Sequence, residues 1–188
     1  MSRLSLRLDP EPAELDSVEP WRGALERLKA RTWPKRADVA IVLSNHFVRY
    51  AVVPDDSAAS EDEALALARF HFAKIHGERA KGWEVRVSDG LACAIDAALL
   101  AELRKIVPKL VSVQPALMAA YNGARKRIPR EGAWLVLAEA QRVCVARLAA
   151  ERWASVLNAR EADWEQALER ERSRASGETL PSRVLVLS

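Results

Sequence analysis

Two short polar turns hold the residue types that could bind an anion. The first turn is Ser44-Asn45-His46, and the second, at residues 138–141, contains Glu139 and Gln141. Hydroxyl, amide and imidazole groups donate hydrogen bonds, and they can replace the backbone N–H groups of a glycine-rich phosphate loop. One interpretation is therefore a small nucleotide-binding or phosphate-transfer protein with an atypical anion site at both turns.

Other kinds of chemistry have less support in the sequence. His46 has no carboxylate close to it in the chain, so we interpret it as an exposed turn residue. His71 and His76 are five residues apart and miss the i, i+4 spacing of two metal ligands on a helix. Ser44 and Ser112 lack the neighbouring glycine elbow or histidine that would activate a nucleophile. We therefore expect no catalytic residue, no metal site and no bound cofactor.

The elements that position these turns follow from hydrophobic periodicity. Residues 39–43 and 47–53 are apolar runs on either side of the first turn, and they predict two antiparallel strands of a tight hairpin. The same reasoning predicts helices at 61–76, 97–107, 115–127 and 164–175. It predicts further strands at 83–87, 91–95, 109–113, 134–137, 142–148, 153–157 and 183–187.

A weak internal duplication relates the two turns. Residues 42–46 and 136–140 occupy the same position in two predicted hairpins that are 94 residues apart. This period predicts an α/β fold of two related halves, each a mixed sheet with packed helices, of which the second is truncated. The expected division is an N-terminal extension at 1–37, a first half at 38–130 and a second half at 131–188.

Composition excludes several classes of protein. Hydrophobic residues make up 49% and charged residues 29%, which is typical of a globular domain. No apolar run approaches the roughly 20 residues of a membrane helix, so we expect a cytoplasmic protein without direct membrane insertion. Cys93 and Cys144 lie in apolar runs and are expected to be buried, reduced thiols. The net charge of +3 and one short basic cluster at 125–130 do not predict a nucleic-acid partner.

Four segments give the chain a resemblance to a known superfamily. They are VAIVLSNHFVRYAVVP at 39–54, LACAIDAALLAELR at 91–104, LVSVQPALMAAYNGAR at 110–125 and GAWLVLAEAQRVCVARLAAERWASV at 132–156. Over roughly residues 38–175 the chain resembles the actin-like, ribonuclease-H-like superfamily. Within it, the chain is most similar to the cytoplasmic actin-like type IV pilus assembly protein and to the cytoplasmic domain of the type II secretion L protein.

The departures from this superfamily concern the phosphate site. ATP-binding members have Asp-x-Gly in both hairpins, whereas this chain has Val42 and Ser44 in the first and Val136 and Ala138 in the second. A valine offers no oxygen to a metal-bound water, and Val42 also removes the first acidic residue that a ribonuclease-H-type nuclease needs. The resemblance therefore implies a non-catalytic pseudo-actin, a cytoplasmic scaffold or adaptor in a type IV pilus or type II secretion-like assembly.

Such a role requires protein partners, and it allows a homodimer. We expect the N-terminal 37 residues to fold back along the first half and to help form a protein–protein contact. Aromatic, arginine and amphipathic-helix side chains are common in such contacts. On this basis the candidate partner-binding residues are Trp21, Leu25, Leu28, Arg49, Tyr50 and Tyr121.

Overall fold

A computed structural model describes residues 3–34, 37–54, 58 and 60–187. Five helices lie within these residues: α1 (Trp21–Lys29), α2 (Glu61–His76), α3 (Ala97–Ile106), α4 (Ala116–Ala124) and α5 (Trp164–Arg174). In the same described residues, ten strands form three sheets: β1 (Arg3–Leu8), β2 (Asp38–Leu43), β3 (Val48–Val52), β4 (Trp83–Ser88), β5 (Leu91–Asp96), β6 (Leu110–Pro115), β7 (Gly132–Glu139), β8 (Arg142–Ala149), β9 (Arg152–Ala159) and β10 (Val184–Leu187).

The first sheet is parallel, with β2 between β1 and β6. Helices α1 and α3 pack together, and their apolar faces join the core cluster that contains Val39, Ile41 and Leu43 of β2. Strand β1 and helix α1 of the N-terminal segment are therefore part of this sheet and its core. The predicted division of the chain at residues 37 and 130 stays a prediction.

The second sheet is antiparallel, in the order β3-β5-β4. The predicted strands at 83–87 and 91–95 are present as β4 and β5, which form an antiparallel hairpin. Its turn places Asp89 at φ 50° and Gly90 at φ 77°, the left-handed values that a tight hairpin turn requires. Helix α2 covers this sheet with Ala68 and Phe72, whose side chains are at most 1% exposed. Ser60 caps the helix, because its hydroxyl accepts the N–H of Glu63 at 3.2 Å.

The third sheet has the order β10-β7-β8-β9, with β10 parallel to β7 and the other pairs antiparallel. Strand β7 is buried on both faces. Leu135 and Leu137 face the cluster that includes α4, whereas Trp134 and Val136 face the cluster that includes α5. This double burial explains why the strand is an almost continuous apolar run.

The predicted hairpin at residues 39–53 is wrong. Its two strands form, but β2 joins the parallel first sheet and β3 pairs with β5. Between them lies a 3₁₀ turn, Asn45–Phe47, in which the Ser44 hydroxyl accepts the N–H of His46 at 3.2 Å. The physical reason is that Ser44 has φ −52°, so the turn lacks the positive φ angles that reverse a chain tightly. The chain passes from one sheet to the next instead.

No helix in the described part of the chain is long and apolar enough to cross a membrane.

The predicted helix at 115–127 is α4 followed by a 3₁₀ turn at Arg125–Arg127. The predicted strands at 134–137, 142–148 and 153–157 are present as β7, β8 and β9, which pair in antiparallel order.

Gly132 provides a test of the third sheet. It starts β7 at φ 113°, and a Cβ atom there would collide with the backbone carbonyl of Leu148. We expect Gly132→Ala to lower the free energy of unfolding by roughly 2–4 kcal/mol, because backbone strain and a backbone clash add. Gly123→Ala is the matched control, since Gly123 lies in α4 with no atom near its Cβ position. Urea unfolding should show no loss for Gly123→Ala; equal losses in both variants would contradict a specific clash at Gly132.

Candidate functional site

The two polar turns of the sequence meet in the structure. Glu139, at the end of β7, lies against the turn that follows β2. Its Oε2 accepts the hydroxyl of Ser44 at 3.0 Å and the backbone N–H of Asn45 at 2.9 Å. Arg7 of β1 forms an ion pair with its Oε1. The Glu139 side chain is only 5% exposed, so this carboxylate is a buried link between the two turns.

The surroundings of Glu139 are those of an anion site. A backbone N–H, a hydroxyl and a guanidinium are the donors that commonly hold phosphate oxygens in proteins. Burial raises the pKa of Glu139, while Arg7 and the hydrogen bonds from Ser44 and Asn45 oppose that rise. A carboxylate of the chain itself therefore occupies the position where these donors converge.

His46 is not the exposed turn residue predicted from the sequence. Its side chain is buried because the second turn packs over it. The Nε2 atom is 2.9 Å from the carbonyl oxygen of Ala140, and Nδ1 is 3.2 Å from Nε of Arg142. An imidazole that donates from Nε2 and accepts at Nδ1 satisfies both contacts and is neutral. Burial and the positive charge of Arg142 lower the pKa of His46 to about 4.

Asn158 of β9 completes the contact between the turns. Its Nδ2 donates to the carbonyl oxygens of Asn45 at 2.8 Å and Val48 at 2.9 Å. Tyr50 donates its hydroxyl to Oδ1 of Asn45 at 2.7 Å. Burial raises the pKa of Tyr50 well above its ordinary value, so the phenol stays a donor. The site is thus a network of polar contacts that joins the turn after β2 to residues of β1, β3, β7, β8 and β9.

Sequence reasoning missed three residues of this network: Arg7, Arg142 and Asn158. The one signal for Asn158 and Arg142 is that each is a polar residue at an end of a largely apolar strand. Gln141, which the sequence placed in the anion site, lies apart from it. Its side chain is exposed and its Oε1 accepts from Arg160 at 3.1 Å.

The candidate partner-binding residues are mostly inside the protein. Trp21, Leu25 and Leu28 are at most 7% exposed, because the apolar face of α1 packs into the first core. The expectation that they present a contact surface is therefore corrected. Arg49 is half-buried and donates to the carbonyl of His46 at 3.2 Å. Tyr121 packs on Trp153 with ring centroids 4.9 Å apart, and Tyr50 belongs to the network above.

A second candidate site is the groove between β4 and β6. Each of these strands is at the edge of its sheet, and the cavity between them has a volume of about 530 Å³. Apolar side chains of β5, including Leu91 and Ile95, line it. Glu84 and Arg104, paired at 3.3 Å, lie at its border, and Val111 of β6 is 54% exposed. Edge strands offer unpaired backbone groups, so this groove has the features that bind an extended peptide.

The fold has solved counterparts. No protein-family model matches the chain, and no curated protein matches its sequence. A Bacteroides thetaiotaomicron protein described as having an actin-like ATPase fold and unknown function matches with a TM-score of 0.62 at 11% identity, covering 98% of this chain and 80% of that chain. The chain therefore has an actin-like fold. A chain of the PilM-PilN type IV pilus biogenesis complex matches with a TM-score of 0.49 at 18% identity, over 85% of this chain and 54% of that one, so this chain spans about half its length.

The actin-like fold confirms the α/β class and the resemblance inferred from the sequence. The four residues at which the sequence departs from Asp-x-Gly, namely Val42, Ser44, Val136 and Ala138, differ in their surroundings. Val136 is fully buried beneath α5, and Val42 lines a cleft beside α4. Ala138 is exposed, and Ser44 is the donor to Glu139. None of these four residues supplies a carboxylate to the contact between the turns.

The neutral state of His46 predicts a pH dependence of stability. Above pH 6.5 the ring is neutral in both the folded and the unfolded chain, so the contribution of the neutral ring to the free energy of unfolding is fully present. As the pH falls from 6.5 towards 4, only the unfolded chain takes up the proton, and stability decreases by roughly 2–3 kcal/mol. Urea unfolding between pH 4 and 7 should show this decrease in the wild type.

His46→Gln removes the titrating ring and should flatten the profile over this range. His71→Gln, which removes an exposed histidine of α2, is the control and should keep the wild-type profile. A His46→Gln profile as steep as that of the wild type would show that another group causes the decrease.

Proposed function

We propose that this chain is a non-catalytic cytoplasmic scaffold or adaptor of a type IV pilus or type II secretion-like assembly. In this proposal it is a pseudo-actin whose phosphate site is filled from within. The observation on which the proposal depends is the carboxylate of Glu139, which accepts the donors of Ser44 and Asn45 and pairs with Arg7.

A filled site opposes nucleotide binding for two physical reasons. The donors that a phosphate would need already have a partner, so a nucleotide must first displace Glu139. A phosphate placed beside the buried carboxylate would also meet a like charge at short range, which is strongly unfavourable in a site of low polarity. The replacement of Asp by Val42 and Val136 further removes the groups that would hold a metal-bound water.

The adaptor role is supported by the groove between β4 and β6. An extended segment of a partner could pair its backbone with either edge strand and place alternate side chains on the apolar floor. The charged residues Glu84, Arg86 and Arg104 at the border would then favour one direction of the segment. The pilus or secretion context and the cytoplasmic location depend on the resemblance of the four sequence segments.

The first test removes the internal carboxylate. Glu139→Ala should leave Arg7, Ser44 and the N–H of Asn45 around an empty position, and inorganic sulfate should then bind there. Thermal unfolding with and without sulfate should show a larger stabilisation of Glu139→Ala than of the wild type. Glu139→Gln is the matched control, because its amide fills the same volume and leaves no room for the anion.

The control also corrects for the general stabilisation that sulfate gives to proteins. Equal sulfate effects in Glu139→Ala, Glu139→Gln and the wild type would contradict an anion site at Glu139. If sulfate stabilises the wild type more than it stabilises Glu139→Gln, the anion site is already open in the wild type, which would contradict a site filled by Glu139.

The second test concerns the groove. Met118 of α4 lines it and is half-buried, so Met118→Arg should obstruct it. The probe is an array of overlapping peptides from the cytoplasmic segments of pilus and secretion proteins of the native host. Peptides that bind the wild type should bind Met118→Arg at least about tenfold more weakly, which is the loss expected for a blocked central contact. Val186 is exposed and lies outside the groove, so Val186→Arg should bind the same peptides as tightly as the wild type does. Equal binding of the peptides by Met118→Arg and Val186→Arg would contradict the assignment of the groove as the peptide site.

A further inference from the structure

Helix α2 has a second apolar face. Its inner face, with Ala68 and Phe72, packs on the second sheet. On its outer face Phe70 is 68% exposed and Leu67 is 39% exposed. Neither side chain belongs to a core cluster of the described residues. A phenylalanine exposed to this extent beside a leucine is unfavourable in water and is typical of a contact surface.

These side chains belong to a regular stripe. Glu63, Leu67, Phe70 and Lys74 follow the spacing i, i+4, i+7, i+11, which places them in one row along an α-helix. We call this row the outer stripe of α2. Its order along the helix is acidic, apolar, apolar, basic, and Glu63 and Lys74 are both exposed.

The outer stripe is complementary to itself when it is reversed. In an antiparallel pair of helices, Leu67 of one copy faces Phe70 of the other, and Glu63 faces Lys74. Both correspondences share the same midpoint, between residues 68 and 69, so a single two-fold axis satisfies them. We propose that a second copy of this chain docks on the outer stripe of α2 in this antiparallel arrangement.

The charges of the whole helix favour the same arrangement. The first turn of α2 contains Glu61, Asp62 and Glu63, and the last turn contains Lys74. An antiparallel partner brings each acidic end next to a basic end and opposes the two helix dipoles. A two-fold contact uses one surface in both copies, so the pair closes and does not form a filament.

The size of the contact predicts its strength. A helix of 16 residues that meets its copy along one stripe buries less than the roughly 1,200 Å² of a standard stable interface. The dimer should therefore be weak, with a dissociation constant on the order of 100 µM. This strength is sufficient when an assembly concentrates the protein locally.

Cross-linking tests the antiparallel geometry. Glu63→Cys and Lys74→Cys are made separately and mixed under mild oxidation. The antiparallel pair predicts a disulfide between the two different variants. Either variant alone should cross-link poorly, because like positions are 11 residues, or about 16 Å, apart along the axis. The native thiols do not interfere, since burial raises the pKa of Cys93 to about 12 and also raises that of Cys144. Efficient cross-linking of either variant alone would contradict the proposed arrangement.

Sedimentation equilibrium tests the stripe itself, at concentrations from about 10 µM to 1 mM, which bracket the expected dissociation constant. The wild type should dimerise, and Phe70→Glu should weaken association at least about tenfold. Ile75→Glu is the matched control, because Ile75 is 60% exposed on the same helix but lies outside the outer stripe. A wild type that is monomeric throughout, or a dimer that both variants weaken equally, would overturn the proposal.

Discussion

The contact of Glu139 with the turn after β2 is the interaction on which the arrangement of the two sheets depends. Its carboxylate binds the N–H of Asn45, the hydroxyl of Ser44 and the guanidinium of Arg7, so it joins the first sheet to the third. A buried charge is stable only when it is paired and hydrogen-bonded. Arg7 also pairs with Asp9, but the N–H of Asn45 and the hydroxyl of Ser44 donate to Glu139, so separating the turns would leave these two donors without their acceptor.

The rest of the contact follows from that constraint. With Glu139 in place, the carbonyl of Ala140 reaches the ring of His46, and Arg142 reaches its other nitrogen. The ring must then stay neutral, because a proton at Nδ1 would face a guanidinium. Asn158 closes the network by donating to the backbone of β3 and of the turn.

Local pattern was sufficient for most helices and strands but not for their long-range contacts. The start and stop signals at residues 61–76 predict α2 with the observed bounds, because such signals act within one or two turns of a helix. The predicted pairing of β2 with β3 required a turn at Ser44 that reverses the chain. The φ angle of Ser44 shows that this turn does not reverse the chain. The contact of Glu139 with Asn45 joins residues 94 apart and has no local signal. Likewise, the apolar face of α1 has the same sequence pattern whether it packs on a core, as it does, or on a partner.

If Glu139 occupies the position that a nucleotide phosphate would need, the wild-type protein should not bind nucleotide. Titration calorimetry of the wild type with Mg-ATP measures this most directly, because it requires no variant and no assumption about the partner. A phosphate site filled by Glu139 predicts no measurable heat of binding at millimolar nucleotide. Binding tighter than about 100 µM, equivalent to roughly 5.5 kcal/mol, would show that the carboxylate yields to phosphate and would contradict a site filled from within.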